Sequence, residues 1–136
     1  MDPPPPQLYS SLPQSVPPRV LDLAASIARG AESNARKADV LEAYLRSNYV
    51  YGSFDAGDGD AAEAFLLAQR RGGSEQFASA LALMLRAVGI PSRIVLGYRA
   101  RRLNPWRGEF EIWEADRHCW VEAYVDQRWT AFEPSP

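Results

Sequence analysis

Three residues in separate parts of the chain have the side chains of a nucleophile, a general base and an orienting acid: Ser74, His118 and Glu133. A serine hydroxyl attacks an acyl carbon only when a neighbouring base takes its proton, and an imidazole held by a carboxylate is the usual base. If the fold brings the three segments together, these side chains would form an acyl-transfer centre.

Ser74 opens the most apolar helix that the sequence predicts. Residues 77–88 are apolar nearly all round, and Gly89 ends the segment. A helix of this composition must be buried on most sides. Its N-terminus would therefore hold Ser74 at the proposed acyl-transfer centre. Unpaired N–H groups and partial positive charge at that end can bind an oxyanion. The glycine pair at residues 72–73 is expected to free the backbone just before Ser74.

Helices dominate the first half of the predicted structure. They are expected from residue 18 to near Gly30, from Ser33 or Asn34 to about Asn48, and over a short stretch capped by Asp60.

The second half is rich in β-branched and aromatic residues, and it predicts strands at residues 92–98, 109–113, 118–125 and 128–132. The two residues between the last two strands favour a hairpin, which would place the His118 strand beside the Glu133 strand. Helices followed by strands predict an α+β fold, with a buried central helix packed on a C-terminal antiparallel sheet.

Composition excludes several classes of function. The 136 residues are enough for one domain with a real core, and a net charge of −2 does not favour nucleic acid as a partner. With one cysteine and one histidine, the chain can form neither an internal disulfide nor a multi-histidine metal site. We therefore predict no metal and no cofactor, and we expect a monomer.

The start of the chain is rich in proline. The first 18 residues hold seven of the eleven prolines, which predicts an extended, polyproline-like segment rather than packed structure. We expect a lead-in or linker in residues 1–16 and one folded domain in residues 17–136. No window of about 18 apolar residues predicts a membrane span. The chain is expected to be soluble as written and to be a piece of a longer protein.

Ordered motifs then point to a family. GGSEQFA at residues 72–78, LRAVGIPSRIVLGY at 85–98, HCWVE at 118–122 and WTAFEP at 129–134 resemble the bacterial transglutaminase-like domain family. The resemblance runs from about residue 17 to the C-terminus. It implies a papain-like fold and a Cys-His-Asp triad that forms an acyl-enzyme on a glutamine side chain or amide, then passes the acyl group to an amine or water.

The resemblance also implies partners and a location. The substrate would be a protein or peptide that supplies the glutamine, with an amine as acceptor. Membrane-anchored bacterial members carry this domain outside the cytoplasm, which implies a periplasmic or other extracytoplasmic domain.

The sequence departs from the family pattern at three positions. Ser74 stands where the family has cysteine, Glu133 where it has aspartate, and Cys119 where a small residue is usual. A thiol with a pKa of about 8.5 can be held as a thiolate, whereas a serine must lose its proton during attack. We therefore expect the domain to be inactive as written. The sequence leaves open whether Ser74 is natural or engineered.

Other interpretations of the same residues stay open. The domain could be a natural non-catalytic module that binds a peptide, or a serine hydrolase using Ser74, His118 and Glu133, although no nucleophile elbow surrounds the serine. Ser74 alone could be an ordinary N-cap, and Glu133 a solvated strand end. Cys119 should pack in the core, because neighbours on a strand point to opposite faces. The tryptophans at 106, 113 and 120 could line a cleft or fill the core.

Overall fold

The structure is a computed structural model that describes residues 2–98, 102–104, 109–111 and 117–136. A 3₁₀ turn at Gln7–Ser10 precedes the helices, which are α1 Pro18–Ala28, α2 Asn34–Asn48, α3 Ala61–Glu63 and α4 Ser74–Ala87. A π-helix, Ala64–Gln69, continues α3. None of the helices in these ranges has the length and hydropathy needed to cross a bilayer.

The strands are β1 Val50–Tyr51, β2 Arg71–Gly72, β3 Ser92–Tyr98, β4 Arg102–Asn104, β5 Glu109–Glu111, β6 Arg117–Val125 and β7 Arg128–Phe132. The main sheet is antiparallel with strand order β3-β6-β7. Asp126 and Gln127 join β6 to β7 with φ of 52° and 63°, the backbone that a tight hairpin needs. The predicted antiparallel sheet and its hairpin are confirmed.

The sequence analysis did not predict two of the strand pairs. β1 and β2 pair in parallel, and β4 pairs with β5 in an antiparallel ribbon. Of the strand predicted at residues 109–113, the first three residues are β5, and residues 112–113 lie outside the described part of the chain.

Local polar contacts explain where the helices begin and end. The Ser33 hydroxyl accepts the Arg36 N–H at 3.1 Å, and the Asp60 carboxylate accepts the Glu63 N–H at 2.9 Å, so both act as N-caps. At the end of α4, Gly89 adopts a φ of 86°, which favours glycine over any other residue.

Helix α4 lies at the centre of the core. It contacts the helices α1 and α2 and the strands β3 and β6. Its fully buried residues include Phe77, Ala78, Leu81, Met84 and Leu85. The fold is therefore α+β with a buried central helix on an antiparallel sheet, as the sequence predicts.

The proline-rich lead-in differs from the sequence expectation, because it packs on the sheet. The Asp2 N–H donates to the Gln127 carbonyl at 3.0 Å, and the Asp2 carboxylate accepts the Trp129 N–H at 2.7 Å. Tyr9 meets the Trp129 ring edge-on, with ring centroids 5.4 Å apart. The segment is not extended throughout either, because Gln7–Ser10 form a 3₁₀ turn. Proline content could not reveal the aromatic and polar partners that hold it.

Candidate active site

The backbone reaches Ser74 through a crowded glycine. A Cβ on Gly72 would lie 2.7 Å from the Gln76 Cβ and 3.0 Å from the Phe65 ring, so the position has no room for a side chain. Gly73 has ordinary space and a φ of −90°, and its N–H donates to the Gln76 side chain at 2.9 Å. The sequence predicts that these glycines free the backbone, but neither adopts a left-handed φ. Glycine is required at position 72 because a side chain would not fit there.

Ser74 is the first residue of α4, and only 7% of its surface is exposed. Its hydroxyl accepts the backbone N–H of Cys119 on β6 at 3.0 Å. Gly73 is the N-cap of the helix, and the Ser74 side chain caps no N–H of α4. The N-cap interpretation of Ser74 is therefore wrong, and its hydroxyl instead joins the helix to the sheet.

His118 lies on β6 and is 8% exposed. Its Nε2 contacts the Glu133 Oε2. A carboxylate can only accept a hydrogen bond, so the ring carries a hydrogen on Nε2 in this contact. The Trp120 ring lies near-parallel to the imidazole, at 22° and 6.3 Å between centroids. The histidine ring therefore has a fixed partner at its Nε2 edge and an aromatic neighbour on its own strand.

Glu133 follows β7 and has a side chain 38% exposed. Its N–H donates to the Glu42 carboxylate at 2.7 Å, and its carbonyl accepts from Arg46 at 2.8 Å. Both partners are on α2. Glu133 is consequently held by polar contacts and is not a solvated strand end.

The three predicted site residues converge through β6. Ser74 bonds to the N–H of the residue that follows His118, and His118 bonds to Glu133. The imidazole thus contacts the carboxylate directly, and the hydroxyl lies at the backbone of the next residue along β6.

The two residues that follow His118 on β6 lie on opposite faces of the strand. Cys119 is buried in the core cluster, as expected from the alternation of faces along a strand. Trp120 is half-buried on the face that carries His118, and a Cβ on Gly97 would lie 2.7 Å from its ring. Gly97 therefore leaves the space that the indole occupies. The tryptophans at 106 and 113 lie outside the described residues.

Sequence reasoning missed Glu42 and Arg46. Their spacing of four on a helix is the pattern of a surface ion pair, and no local signal indicates that they contact a segment about 90 residues later. Burial is the main effect on Glu42 and raises the pKa of its carboxyl, while the Glu133 N–H and the Arg46 charge act in the opposite direction. Within the described ranges, no group of three or more metal-binding side chains forms a cation site.

Fold and site together define an α+β domain of the papain-like type. The profile of the transglutaminase-like superfamily matches residues 21–134. The chain belongs to this superfamily.

Similar proteins are known from Bacillus subtilis and Pseudomonas aeruginosa. The chain is 33% identical over 137 residues to YebA of Bacillus subtilis, which covers 93% of this chain and 19% of that protein. It is 32% identical over 127 residues to a protein-glutamine gamma-glutamyltransferase of Pseudomonas aeruginosa, covering 91% of this chain and 19% of that protein. The chain thus spans about a fifth of the length of these relatives.

A solved structure matches the same region. The periplasmic domain of TgpA from Pseudomonas aeruginosa superposes with a TM-score of 0.84 at 29% identity, covering 93% of this chain and 45% of that domain. The transglutaminase-like fold expected from the motifs is therefore confirmed.

Proposed function

We propose that this chain is an acyl-transfer domain of the transglutaminase type in which Ser74 occupies the position of the nucleophile and leaves the site inactive as written. The contact between His118 and Glu133, beside the Ser74 hydroxyl, carries the proposal. A histidine–carboxylate pair next to a buried helix N-terminus supplies the base and the oxyanion donors that acyl transfer requires.

Each residue has a defined role in this proposal. Glu133 accepts the Nε2 hydrogen and orients the ring, so Nδ1 of His118 is the nitrogen that exchanges a proton with the nucleophile. Backbone N–H groups at the start of α4 bind the oxyanion. The relative from Pseudomonas aeruginosa is a protein-glutamine gamma-glutamyltransferase, which supports a glutamine side chain as the acyl donor and an amine or water as the acceptor.

The reaction requires a thiol at position 74. A cysteine thiolate would attack the glutamine amide carbon and form a carbon–sulfur bond. The imidazolium of His118 would give its proton to the amide nitrogen, so that the carbon–nitrogen bond breaks and ammonia leaves. An amine or water would then attack the thioester, with His118 taking its proton, and the carbon–sulfur bond would break to release the product and the thiolate. With cysteine, the helix dipole and the imidazolium favour the thiolate before attack.

A serine at this position lacks that advantage. Its hydroxyl already accepts the Cys119 N–H, and its proton must leave during attack rather than before it. The expected result is a site with the shape of the enzyme and little reactivity.

Intact-mass spectrometry tests the proposal. The unaltered chain, Ser74→Cys, and Ser74→Cys with His118→Ala would each be incubated with a glutamine-containing peptide or with iodoacetamide. We expect a peptide adduct, with loss of ammonia, only in Ser74→Cys. We also expect His118→Ala to slow alkylation at position 74 by at least about 100-fold. Cys119, present in all three proteins and buried, is the internal control for non-specific thiol labelling. No adduct on a folded Ser74→Cys chain would contradict the proposal.

A peptide-binding module is the second candidate, and the observation that favours it is the engaged hydroxyl of Ser74. It predicts micromolar binding of a peptide that persists in His118→Ala. Calorimetric titration of both chains with the same glutamine peptide separates this function from catalysis.

Serine hydrolysis by Ser74, His118 and Glu133 is less favoured, because the serine opens a helix after an extended glycine rather than a strained elbow. Labelling of the unaltered chain by a fluorophosphonate, lost in Ser74→Ala, would support it.

The location is also part of the proposal. The solved relative, from TgpA of Pseudomonas aeruginosa, is a periplasmic domain, and we infer the same placement for this chain within a longer protein.

A further inference from the structure

Glu133 lies beyond the last pair of the β6–β7 ladder. That pair joins Val121 to Phe132, so β6 supplies no ladder partner for the backbone of Glu133. The next residue, Pro134, is fully buried and fixes the direction of the chain. The backbone of Glu133 must therefore be held by contacts outside the sheet.

Helix α2 supplies those contacts through two side chains one turn apart. The Glu42 carboxylate accepts the Glu133 N–H at 2.7 Å. One nitrogen of Arg46, Nη1, lies 2.8 Å from the carbonyl of Glu133 and 2.8 Å from that of Ser135. The helix thus bonds the backbone on both sides of Pro134, and each bond involves a charged group, which makes it stronger than a neutral one.

The side chain of Glu133 is fixed as well. Its Oε1 accepts the Ser135 N–H at 3.2 Å, and its Oε2 contacts His118. Every polar atom of Glu133, from the amide to both carboxylate oxygens, therefore has a partner. The Ser135 N–H that holds Oε1 belongs to the segment held by Arg46, so the helix acts on the carboxylate through two routes.

We propose that Glu42 and Arg46 are positioning residues, which set the Glu133 carboxylate against the His118 ring. Their importance for catalysis rests on the proposed function, whereas their effect on the ring does not. Without them, the backbone of residues 133–135 would lose its three bonds to α2, and the carboxylate would no longer have one fixed orientation. A displacement of about 1 Å at a catalytic group can lower a rate by about 100-fold.

The single histidine makes the ring directly observable in the unaltered chain. Proton–nitrogen correlation spectra of the imidazole distinguish hydrogen on Nε2 from hydrogen on Nδ1. The variants are Arg46→Gln and Glu42→Leu, with Glu133→Gln as the reference for a lost carboxylate. Glu42→Gln keeps an acceptor oxygen, and Arg36→Gln alters an exposed arginine of the same helix; these two are the matched controls.

We expect the first two variants to shift the ring signals toward those of Glu133→Gln and both controls to keep the unaltered spectrum. Circular dichroism and thermal melts establish that each chain is folded. If Arg46→Gln does not fold, Arg46→Lys replaces it, because a single ammonium cannot reach both carbonyls with the same geometry and should give an intermediate spectrum. Unchanged ring signals in folded Arg46→Gln and Glu42→Leu chains would overturn the proposal.

A second readout uses the Ser74→Cys chain. Adding Arg46→Gln should lower its acylation rate by about 100-fold, with Arg36→Gln as control. If Ser74→Cys never forms an adduct while the ring signals still respond to Arg46→Gln, the proposed function fails and the positioning role stands. If the adduct forms at an unchanged rate in Arg46→Gln and the ring is unaffected, the positioning role fails alone.

Discussion

The hydroxyl of Ser74 accepts the backbone N–H of Cys119 at 3.0 Å, which joins the first residue of the central helix to the strand that carries His118. Cys119 lies two residues beyond the last β6–β7 pair, so β7 offers no partner at this level of β6. Ser74 fills that gap. The residue at the proposed nucleophile position therefore also has a structural role in the chain as it stands.

Ser74→Ala should destabilise the fold. The Cys119 N–H would be left buried without its acceptor, at a cost of about 1–3 kcal/mol in the free energy of unfolding. Urea unfolding followed by circular dichroism measures this cost. Ser79→Ala is the matched control, because Ser79 is an exposed serine on the same helix and should change stability by less than about 0.5 kcal/mol. Equal effects of the two substitutions would contradict the structural role.

Gly72→Ala and Gly73→Ala should differ sharply, although the two residues are neighbours. The new Cβ at Gly72 would lie 2.7 Å from the Gln76 Cβ, and overpacking of this kind costs about 1–3 kcal/mol. At Gly73 the nearest atom would be 3.6 Å away and the backbone is extended, so the substitution should cost only the poorer N-cap that alanine makes, about 0.5 kcal/mol. Thermal melts of the two variants compare them directly. Similar melting temperatures would show that the approach to Ser74 is looser than the contacts indicate.

The pH dependence of stability should report on Glu42. Burial, as the largest effect, raises the pKa of this carboxyl above its ordinary value of 4.5, despite the opposing Glu133 N–H and Arg46 charge; Asp39 and the Glu133 charge raise it further. The folded chain then binds more protons than the unfolded chain in the window just above pH 4.5. The Glu42 contribution to stability must therefore fall as the pH rises through that window.

Glu42→Gln removes this ionisation and keeps an oxygen that can accept the Glu133 N–H. We expect the variant to gain stability relative to the unaltered chain as the pH rises from about 4 to 7. Urea midpoints at pH 4, 5, 6 and 7 measure the difference between the two chains. A constant difference would show that burial and the favourable contacts of the carboxylate cancel, and a difference that moves the other way would show that those contacts outweigh burial; either result would contradict the prediction.

Ordered motifs were sufficient to locate the candidate site in the sequence. Each of the three site residues has a signal within a short segment: Ser74 starts a helix, His118 lies on a strand, and Glu133 follows the next strand. The hairpin at Asp126 places the last two segments side by side. The signals for the starts of helices are equally local, since Ser33 and Asp60 cap the helices that follow them. Fold class followed because the periodicity of each segment and the order of the segments agree.

What the sequence could not predict depends on contacts between distant segments. The β1–β2 pair has only two residues per strand, too few for any alternation to appear. The contacts of Glu42 and Arg46 with Glu133 require the end of the chain to return to α2. Packing of the lead-in likewise depends on Trp129, more than a hundred residues away.

Proline content predicts that the lead-in is unpacked, whereas its contacts with the sheet predict that it contributes to stability. Tyr9 packs edge-on against Trp129, whose ring also carries the Arg93 guanidinium at 3.9 Å, whereas the adjacent Leu8 is 70% exposed. If the segment is packed, Tyr9→Ala should lower the free energy of unfolding by about 0.5–1.5 kcal/mol through the lost ring pair alone. Leu8→Ala should change it by less than about 0.5 kcal/mol. Urea unfolding, monitored by tryptophan fluorescence, measures the free energy of unfolding of both variants. A neutral result for both would return residues 1–16 to the status of an unpacked linker, because a side chain without a fixed partner has no packing energy to lose.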